Sequence, residues 1–121
     1  MKKKKTLVLG ASANPSRYSY LAVQRLTARE YPVVALGIKK GSIGNTEIET
    51  EKKHFEEVDT VTLYINPSRQ KDYYQYILGL KPKRIIFNPG TENDELAALA
   101  EEQGIVPLEA CTLVMLSTGQ Y

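Results

Sequence analysis

A glycine turn near the N-terminus is the first feature of this chain that could do chemistry. The segment VLGASANPSRYSY (residues 8–20) follows a short apolar run and places Gly10 between a predicted strand and a predicted helix. A dinucleotide-binding turn reads G-x-G-x-x-G, but the second and third glycine positions here hold Ser12 and Pro15. The backbone N–H groups of residues 11–14 and the positive end of the following helix nevertheless predict an anion site.

Polar side chains around this turn extend the predicted site. Ser12 offers a hydroxyl donor, Asn14 either donates from its amide or shapes the turn, and Arg17 is placed to reach a second phosphate. Tyr18 packs either on a base or, as its helical spacing favours, in the core. A valine at Gly10 would block the approach of a phosphate, so we expect it to abolish binding and to leave the fold intact.

The end of the second predicted strand, LGIKK (residues 36–40), carries no acid. An NAD-binding fold has Asp or Glu there to accept a hydrogen bond from the ribose 2′-hydroxyl, and the next carboxylate in this chain is Glu47. Lys39 instead suits a ribose that bears a phosphate, as in NADP (on the 2′-oxygen) or coenzyme A (on the 3′-oxygen). The missing second glycine argues against the standard NADP mode, since that glycine lets the pyrophosphate approach closely.

Strands and helices alternate along the whole chain. Pro67 ends the third main strand, and Ser68 is the predicted N-cap of the helix that follows. Residues 39–57 predict a loop that includes at most a short edge strand near Ile48. Hydrophobic periodicity predicts strands over 6–9, 32–38, 60–66, 84–88 and 105–110, and helices over 16–29 and 111–116, with a helical stripe over 73–80 after the Ser68 cap. A capping signal at Thr91 and Asp94 predicts the start of a further helix, which ends before Gly104.

This alternation predicts a single α/β domain with a Rossmann-like, doubly wound and mostly parallel sheet of about five strands. The domain spans residues 6–121 and follows a basic N-terminal tail, residues 1–5, which is predicted to be solvated. Ligands of such sheets bind beyond the carboxyl ends of the strands, where the strand order switches. The junctions at residues 10–14, 37–40, 66–68 and 88–91 should therefore converge on one site.

Composition limits the classes of function. The 121 residues suffice for one domain, and the net charge is +2, but residues 1–29 hold seven basic residues and no acid. That cationic end suits an anionic ligand. No apolar run is long enough to span a membrane, and the lone Cys111 favours a cytoplasmic protein without disulfides. Cys111 and His54 lack partners at catalytic or metal-ligand spacing, so no catalytic or metal site is predicted.

Four segments carry a resemblance to a known family. In order, they are GASANPSRYSY, VALGIKKGSIGNTEI, FNPGTENDELAALAEEQGI and LEAC. Together they resemble the small CoA-binding domain proteins, a family similar to the N-terminal domain of the succinyl-CoA synthetase α subunit. The histidine that this synthetase phosphorylates lies in a second domain that has no counterpart here. The resemblance therefore implies a Rossmann-like domain that binds coenzyme A without catalysis.

The resemblance carries over unevenly to single residues. The glycine-alanine-serine motif after the first strand matches at residues 10–12, and Lys39 matches the family lysine. Gly37 and Ile38 stand where the family has asparagine and proline, and Asn88 replaces a glutamine before Gly90.

The expected function is that of a non-catalytic protein that binds coenzyme A or an acyl-CoA, a small nucleotide ligand. The alternatives are a minimal NAD(P)-dependent oxidoreductase or a nucleotide-sensing module. A basic tail without a recognition element argues against a nucleic-acid partner, and a homodimer or a partner protein stays open. The predicted ligand-binding residues are Gly10, Ala11, Ser12, Asn14, Arg17, Tyr18, Gly37, Lys39, Lys40, Asn66, Pro67, Asn88 and Gly90.

Overall fold

A computed structural model of the chain describes residues 3–121. These residues form one sheet of seven strands: β1 (Thr6–Leu9), β2 (Val33–Leu36), β3 (Gly41–Ile43), β4 (Thr46–Glu49), β5 (Thr60–Leu63), β6 (Arg84–Phe87) and β7 (Val106–Glu109). The helices are α1 (Tyr18–Ala28), α2 (Pro67–Gln70), a 3-10 turn (Lys71–Tyr73), α3 (Tyr74–Gly79), α4 (Asp94–Glu102) and α5 (Thr112–Ser117). Within the described residues, no helix has the length and apolarity that a bilayer crossing requires.

The strand order is β3-β4-β2-β1-β5-β6-β7. All neighbouring strands are parallel except β3 and β4, which form an antiparallel pair. The chain leaves β1 toward β2 and later returns to the other side of β1 as β5, so the strand order switches at β1. The predicted Rossmann-like, doubly wound α/β fold is confirmed, and β1 ends where such folds bind ligands.

Helices cover both faces of the sheet, and β1, β5 and β6 are therefore buried on both sides, apart from the half-buried Arg84. One face packs against α3 and α4 through Ile77 and Leu96, both fully buried. The other face packs against α1 and α5 through Leu26 and Leu116. The central strands are thereby held rigidly, and the loops that follow them are positioned by the core.

The sheet has two strands more than the five predicted. Residues 41–49, predicted to be a loop with a short edge strand near Ile48, form the β3–β4 hairpin. Its two-residue turn is Gly44-Asn45, and Gly44 has φ +59°, as a type II′ turn requires at its first central position. The hairpin extends the sheet beyond β2, because Ile48 is buried and pairs with Ala35.

The opposite edge of the sheet is β7, whose outer side is exposed. Val106 and Ala110 donate their N–H groups to Lys83 and Phe87 on the β6 side. Backbone groups of a strand alternate between its two sides, so Pro107 occupies a position whose N–H would point away from the sheet. Val106 is 58% exposed on this strand.

The described part of the lysine tail, Lys3–Lys5, donates hydrogen bonds to the body of the domain. Lys4 Nζ donates to the carbonyl oxygen of Tyr121 at 2.7 Å, Lys5 Nζ donates to that of Glu56 at 2.8 Å, and Lys3 Nζ donates to that of Arg29. These contacts lie at the amino ends of the strands, on the far side of the sheet from Gly10. Lys3 and Lys4 stay exposed to solvent and Lys5 is half-buried, and these lysines do not add charge to the predicted ligand site.

The last residue, Tyr121, is anchored at this same end. It is 7% exposed, its ring meets that of Tyr31 edge-on with centroids 5.0 Å apart, and the Arg84 guanidinium lies 4.4 Å from its centroid. Its phenol hydrogen-bonds to the Thr6 hydroxyl at the start of β1. The C-terminal segment therefore closes the sheet at the end opposite to the predicted site.

Candidate ligand-binding groove

A groove of about 690 Å³ crosses the carboxyl ends of β2, β1, β5 and β6. It sits at the switch in strand order, as the fold predicts. Four loops line it, through residues Gly10, Ala11, Ser12, Ala13, Asn14, Arg17, Tyr18, Ser19, Ile38, Lys39, Lys40, Tyr64, Ile65, Asn66, Arg69, Pro89, Gly90 and Thr91.

The structure brings most of the predicted site residues together in this groove. Three predicted residues do not line it: Gly37, Pro67 and Asn88. The predicted residues that do line it are Gly10, Ala11, Ser12, Asn14, Arg17, Tyr18, Lys39, Lys40, Asn66 and Gly90.

The first loop of the groove holds fewer free N–H groups than predicted. Gly10 N and Ala11 N both donate to the Leu36 carbonyl, at 2.8 and 3.0 Å, and Asn14 N donates to Ser12 Oγ at 3.1 Å. Within the described residues, only the N–H groups of Ser12 and Ala13 in this loop have no partner. The predicted anion site of residues 11–14 is therefore reduced to two adjacent donors.

The side chains of Ser12 and Asn14 shape this loop. Asn14 Oδ1 accepts from Ser16 N at 3.0 Å and from Ser16 Oγ at 2.8 Å. These bonds hold residues 12–16 as a local turn, so α1 begins at Tyr18 rather than at the predicted Ser16. Arg17 is its N-cap and provides no side-chain cap, which leaves the first N–H groups of the helix without a partner in the described chain.

Two glycines are required by close backbone contacts. A Cβ at Gly37 would lie 2.2 Å from the Ala11 carbonyl oxygen, so Gly37 lets the end of β2 pack against the first loop. Gly10 has φ +98°, and a Cβ there would lie 2.8 Å from the Tyr64 carbonyl. The expectation that Gly10→Val spares the fold is therefore wrong, because the added side chain meets backbone rather than open groove.

Cations line the groove and acids do not. Arg17, Lys39, Lys40 and Arg69 are all exposed, and within residues 3–121 none of their side chains forms an ion pair or a hydrogen bond. No Asp or Glu is among the lining residues. Unpaired cations in a concave surface concentrate positive potential, so the groove attracts an anionic ligand.

Two large hydrophobic side chains line the groove on the side that holds Lys39 and Lys40. Tyr18 is 72% exposed and Ile38 is 66% exposed. The preference for placing Tyr18 in the core is therefore wrong: α1 points this side chain outward, on the same side as the loop that carries Ile38 and Lys39. The exposed ring of Tyr18 provides a flat surface on which a base can pack, and Ile38 adds apolar area beside it.

The far wall of the groove is built by the loops after β5 and β6. Asn66 is the N-cap of α2, since its Oδ1 accepts from Arg69 N at 3.0 Å and from Ser68 Oγ at 2.7 Å. The predicted N-cap, Ser68, lies inside the helix instead. The predicted cap at Thr91 is also wrong, because Asn93 Oδ1 accepts from Leu96 N and caps α4. Across the groove, Gly90 has φ +92° and donates its N–H to Glu92 Oε1 at 2.9 Å.

Asn88 is buried beneath the groove and its side chain is fully used by the protein. Its Nδ2 donates to Thr62 Oγ1 at 2.7 Å and to the Leu63 carbonyl at 2.9 Å, and its Oδ1 accepts from Thr112 N at 2.9 Å. These bonds tie the ends of β5 and β6 to the start of α5. Asn88 therefore shapes the floor of the groove and does not face a ligand.

Tyr64 also lines the groove, but its hydroxyl points into the protein. The phenol oxygen is buried and makes no hydrogen bond within the described chain, although the hydrogen-bonded hydroxyls of Thr62 and Thr112 lie nearby. Burial, and then the neighbouring Cys111, raise the pKa of the Tyr64 phenol far above its usual range. The phenol therefore stays neutral at physiological pH.

We expect Tyr64→Phe to leave stability unchanged or to raise it by up to about 1 kcal/mol, because it removes a buried hydroxyl that has no partner. Tyr121→Phe is the matched control. It removes a phenol that hydrogen-bonds to Thr6, so it should cost about 1 kcal/mol. Urea denaturation measures both, and a clear loss in Tyr64→Phe would show that its hydroxyl does have a partner.

Sequence reasoning missed several lining residues. Tyr64 and Ile65 read as part of a buried strand, and Arg69 reads as an ordinary surface residue of a helix. Ala13, Ile38, Pro89 and Thr91 lie within the predicted junctions without being predicted to bind, and Ser19 lies within the predicted first helix. The available signal was the rule that every residue after a central strand faces this edge of the sheet.

His54 and Cys111, which the sequence does not predict to be catalytic or metal-binding, do not line the groove. His54 is exposed in the loop before β5, and Cys111 is a free, half-buried cysteine at the start of α5. Among residues 3–121, no group of three His, Cys, Asp or Glu side chains is placed to hold a metal ion.

Comparison with known proteins agrees with this geometry. A family model described as "CoA binding domain" matches residues 4–117, nearly the whole chain. The chain belongs to this CoA-binding domain family. Among curated proteins, no sequence matches the chain. The family assignment confirms the resemblance found in the sequence segments around Gly10 and Lys39.

Solved structures show the same fold for this CoA-binding domain. The crystal structure of an uncharacterized protein is 52% identical, with a TM-score of 0.97 and full coverage of both chains. A hypothetical protein from Pyrococcus horikoshii OT3 is 20% identical, with a TM-score of 0.86, covering 96% of this chain and 83% of its own. The protein "cell-free ID.343" from Thermus thermophilus is 22% identical, with a TM-score of 0.87, covering 98% and 91%.

Proposed function

We propose that the protein binds coenzyme A or an acyl-CoA in this groove and has no catalytic activity of its own. The observation that carries the proposal is the end of β2. Lys39 and Lys40 line the groove there, where a dinucleotide-binding fold has an acid for the ribose 2′-hydroxyl. Membership of the CoA-binding domain family supports the same ligand.

The groove offers partners for each phosphate of coenzyme A. The free N–H groups of Ser12 and Ala13, with the uncapped start of α1 and Arg17, suit the pyrophosphate. Lys39 and Lys40 suit the 3′-phosphate of the ribose. With the nucleotide over β1 and β2, the pantetheine arm extends along the loops after β5 and β6.

The lining residues support a binding role without catalysis. Among them there is no His, Cys, Asp or Glu that could act as a nucleophile or a general base. Of the two lining phenols, Tyr64 turns its hydroxyl into the protein and has its pKa raised by burial, whereas Tyr18 lies exposed at the groove. A ligand held here meets hydrogen-bond donors and cations, which bind phosphates, and meets no carboxylate, imidazole or thiol among the lining residues.

Two further aspects of the proposal rest on the sequence. The lone Cys111 supports a cytoplasmic location, where structural disulfides are rare. A second copy of the chain or a partner protein would take up the acyl group of an acyl-CoA that is bound in the groove.

Calorimetric titration with CoA, dephospho-CoA, NAD and NADP tests the proposal. CoA should bind, and dephospho-CoA should bind about tenfold to a hundredfold more weakly, the worth of one charge-assisted contact. Lys39→Ala should weaken CoA binding by a similar factor and should barely change dephospho-CoA binding.

The ligand comparison controls for charge, because a general loss of positive potential would weaken both ligands alike. Binding of NAD or NADP without binding of CoA would overturn the proposal and favour an oxidoreductase. Equal affinities of the wild type for CoA and dephospho-CoA would mean that the groove does not bind the 3′-phosphate, and that part of the proposal would be wrong.

A further inference from the structure

Gln70 is a polar side chain buried in the wall of the groove. It is the last residue of α2 and is fully buried. Its Nε2 donates to the Ile65 carbonyl at 2.9 Å and to the Thr91 carbonyl at 2.8 Å. Ile65 belongs to the loop after β5 and Thr91 to the loop after β6, and both residues line the groove. One side chain thus joins two loops that no strand pairing holds together beyond Leu63 and Phe87.

The bonding pattern requires a primary amide. Both carbonyls need a donor, and the amide nitrogen provides two hydrogens. The Gln70 oxygen accepts from Asn93 Nδ2 at 2.9 Å, which fixes which end of the amide faces the carbonyls. Asn93 is held in turn, because its Oδ1 caps α4 through Leu96 N and its Nδ2 also donates to the Tyr74 hydroxyl.

We propose that Gln70 is a positioning residue for the ligand: it clamps the loops after β5 and β6 together and so sets the width of that half of the groove. This inference rests on the proposed function for one step, the placement of the pantetheine arm over these two loops. The nucleotide lies over β1 and β2, whose loops Gln70 does not contact. Loss of the clamp should therefore affect the arm and spare the nucleotide.

The test compares two ligands in Gln70→Met, which keeps the side-chain length but donates no hydrogen bond. One ligand is CoA. The other is adenosine 3′,5′-bisphosphate, which has the ribose phosphates of CoA but no pantetheine arm. We expect the affinity for CoA to fall roughly tenfold, about the worth of one well-placed hydrogen bond, and the affinity for the bisphosphate to stay within about twofold of the wild-type value.

Ile77→Val is the matched control for lost stability. Ile77, on α3, is fully buried in the core cluster that also contains Ile65, and contacts no lining loop through a hydrogen bond. This variant should bind both ligands as the wild type does. If Gln70→Met does not fold, Asn93→Ser replaces it, since serine still caps α4 but no longer donates to Gln70. Its loss of affinity should be smaller and again confined to CoA.

Equal losses for both ligands, or no loss for either, would overturn the clamp. Failure of the wild type to bind CoA would instead overturn the proposed function. The clamp could then still be tested by hydrogen exchange, which needs no ligand. Amide hydrogen exchange of Thr91, whose N–H donates to the Asn88 carbonyl at 2.9 Å, should speed up in Gln70→Met but not in Ile77→Val. Unchanged exchange at this amide would also overturn the clamp.

Discussion

In the Gly10→Val variant we expect a much less stable fold and no detectable binding of CoA. Gly10 has φ +98°, which a β-branched residue adopts only at a cost of about 1–3 kcal/mol. Its Cβ would also lie 2.7 Å from Ile65 Cγ2 and 2.8 Å from the Tyr64 carbonyl, and such overpacking adds about 1–3 kcal/mol. A total of about 4 kcal/mol is a large part of the 5–15 kcal/mol that stabilises a typical domain.

Urea denaturation and calorimetric titration with CoA measure the two effects. Gly79→Ala is the control, because Gly79 ends α3 and a Cβ there would meet nothing within 4 Å. This substitution should leave binding unchanged and stability unchanged or slightly increased. If Gly10→Val denatured at the wild-type urea concentration, the loop would have to be free to move away from Tyr64, and the description of this turn would be wrong.

Reversal of the charges at Lys39 and Lys40 should remove most of the affinity for CoA. The double variant Lys39→Glu/Lys40→Glu loses attraction to the 3′-phosphate and adds repulsion. A loss of about 3 kcal/mol, on the order of a hundredfold or more, is expected for charges of this kind. Both side chains are exposed and without a partner in the described chain, so the stability of the fold should not change.

Lys71→Glu/Lys83→Glu is the matched control, since it makes the same change in net charge at exposed lysines outside the groove. It should weaken CoA binding only slightly. The difference between the two double variants should shrink as salt rises, because the contact lies at an open surface. Similar losses in both variants would mean that the ligand responds to overall charge and not to Lys39 and Lys40.

The sequence predicts the central sheet well because its strands are short apolar runs bounded by turn residues. The predictions for the runs at 6–9, 60–66 and 84–88 are confirmed, with the later two strands ending at Leu63 and Phe87 rather than at the following asparagines. The two asparagines have different roles. Asn66 caps α2, whereas the Asn88 side chain forms hydrogen bonds with β5 and with the start of α5. Chain position alone cannot separate these roles, since partners distant in sequence decide them.

The β3–β4 hairpin shows a second limit. Its strands have three and four residues and many polar side chains, so they are too short to show a hydrophobic periodicity. What holds it is tertiary: Ile48 packs against the end of β2, and Gly41 lies against Ala13 of the first groove loop. The turn pair Gly44-Asn45 was the one local signal for it.

For the groove, the rule on carboxyl ends of strands located the site, and glycine, lysine and asparagine at the junctions indicated its chemistry. The free N–H groups could not be counted in advance, because the competing acceptor, the Leu36 carbonyl, comes from another strand. Arg69 was missed for a related reason. Its exposure on α2 is ordinary, and only the fold shows that α2 starts at the groove.

Pro107 has a consequence for how this protein behaves at high concentration. An exposed parallel edge strand offers a row of backbone donors and acceptors to any other extended chain, and Val106 adds apolar surface to it. Pro107 removes one backbone donor from this outer row, and the exposed Glu109 adds a charge at the end of the strand. A foreign strand that docks on β7 therefore meets a gap in the ladder and a carboxylate, and both features disfavour edge-to-edge association.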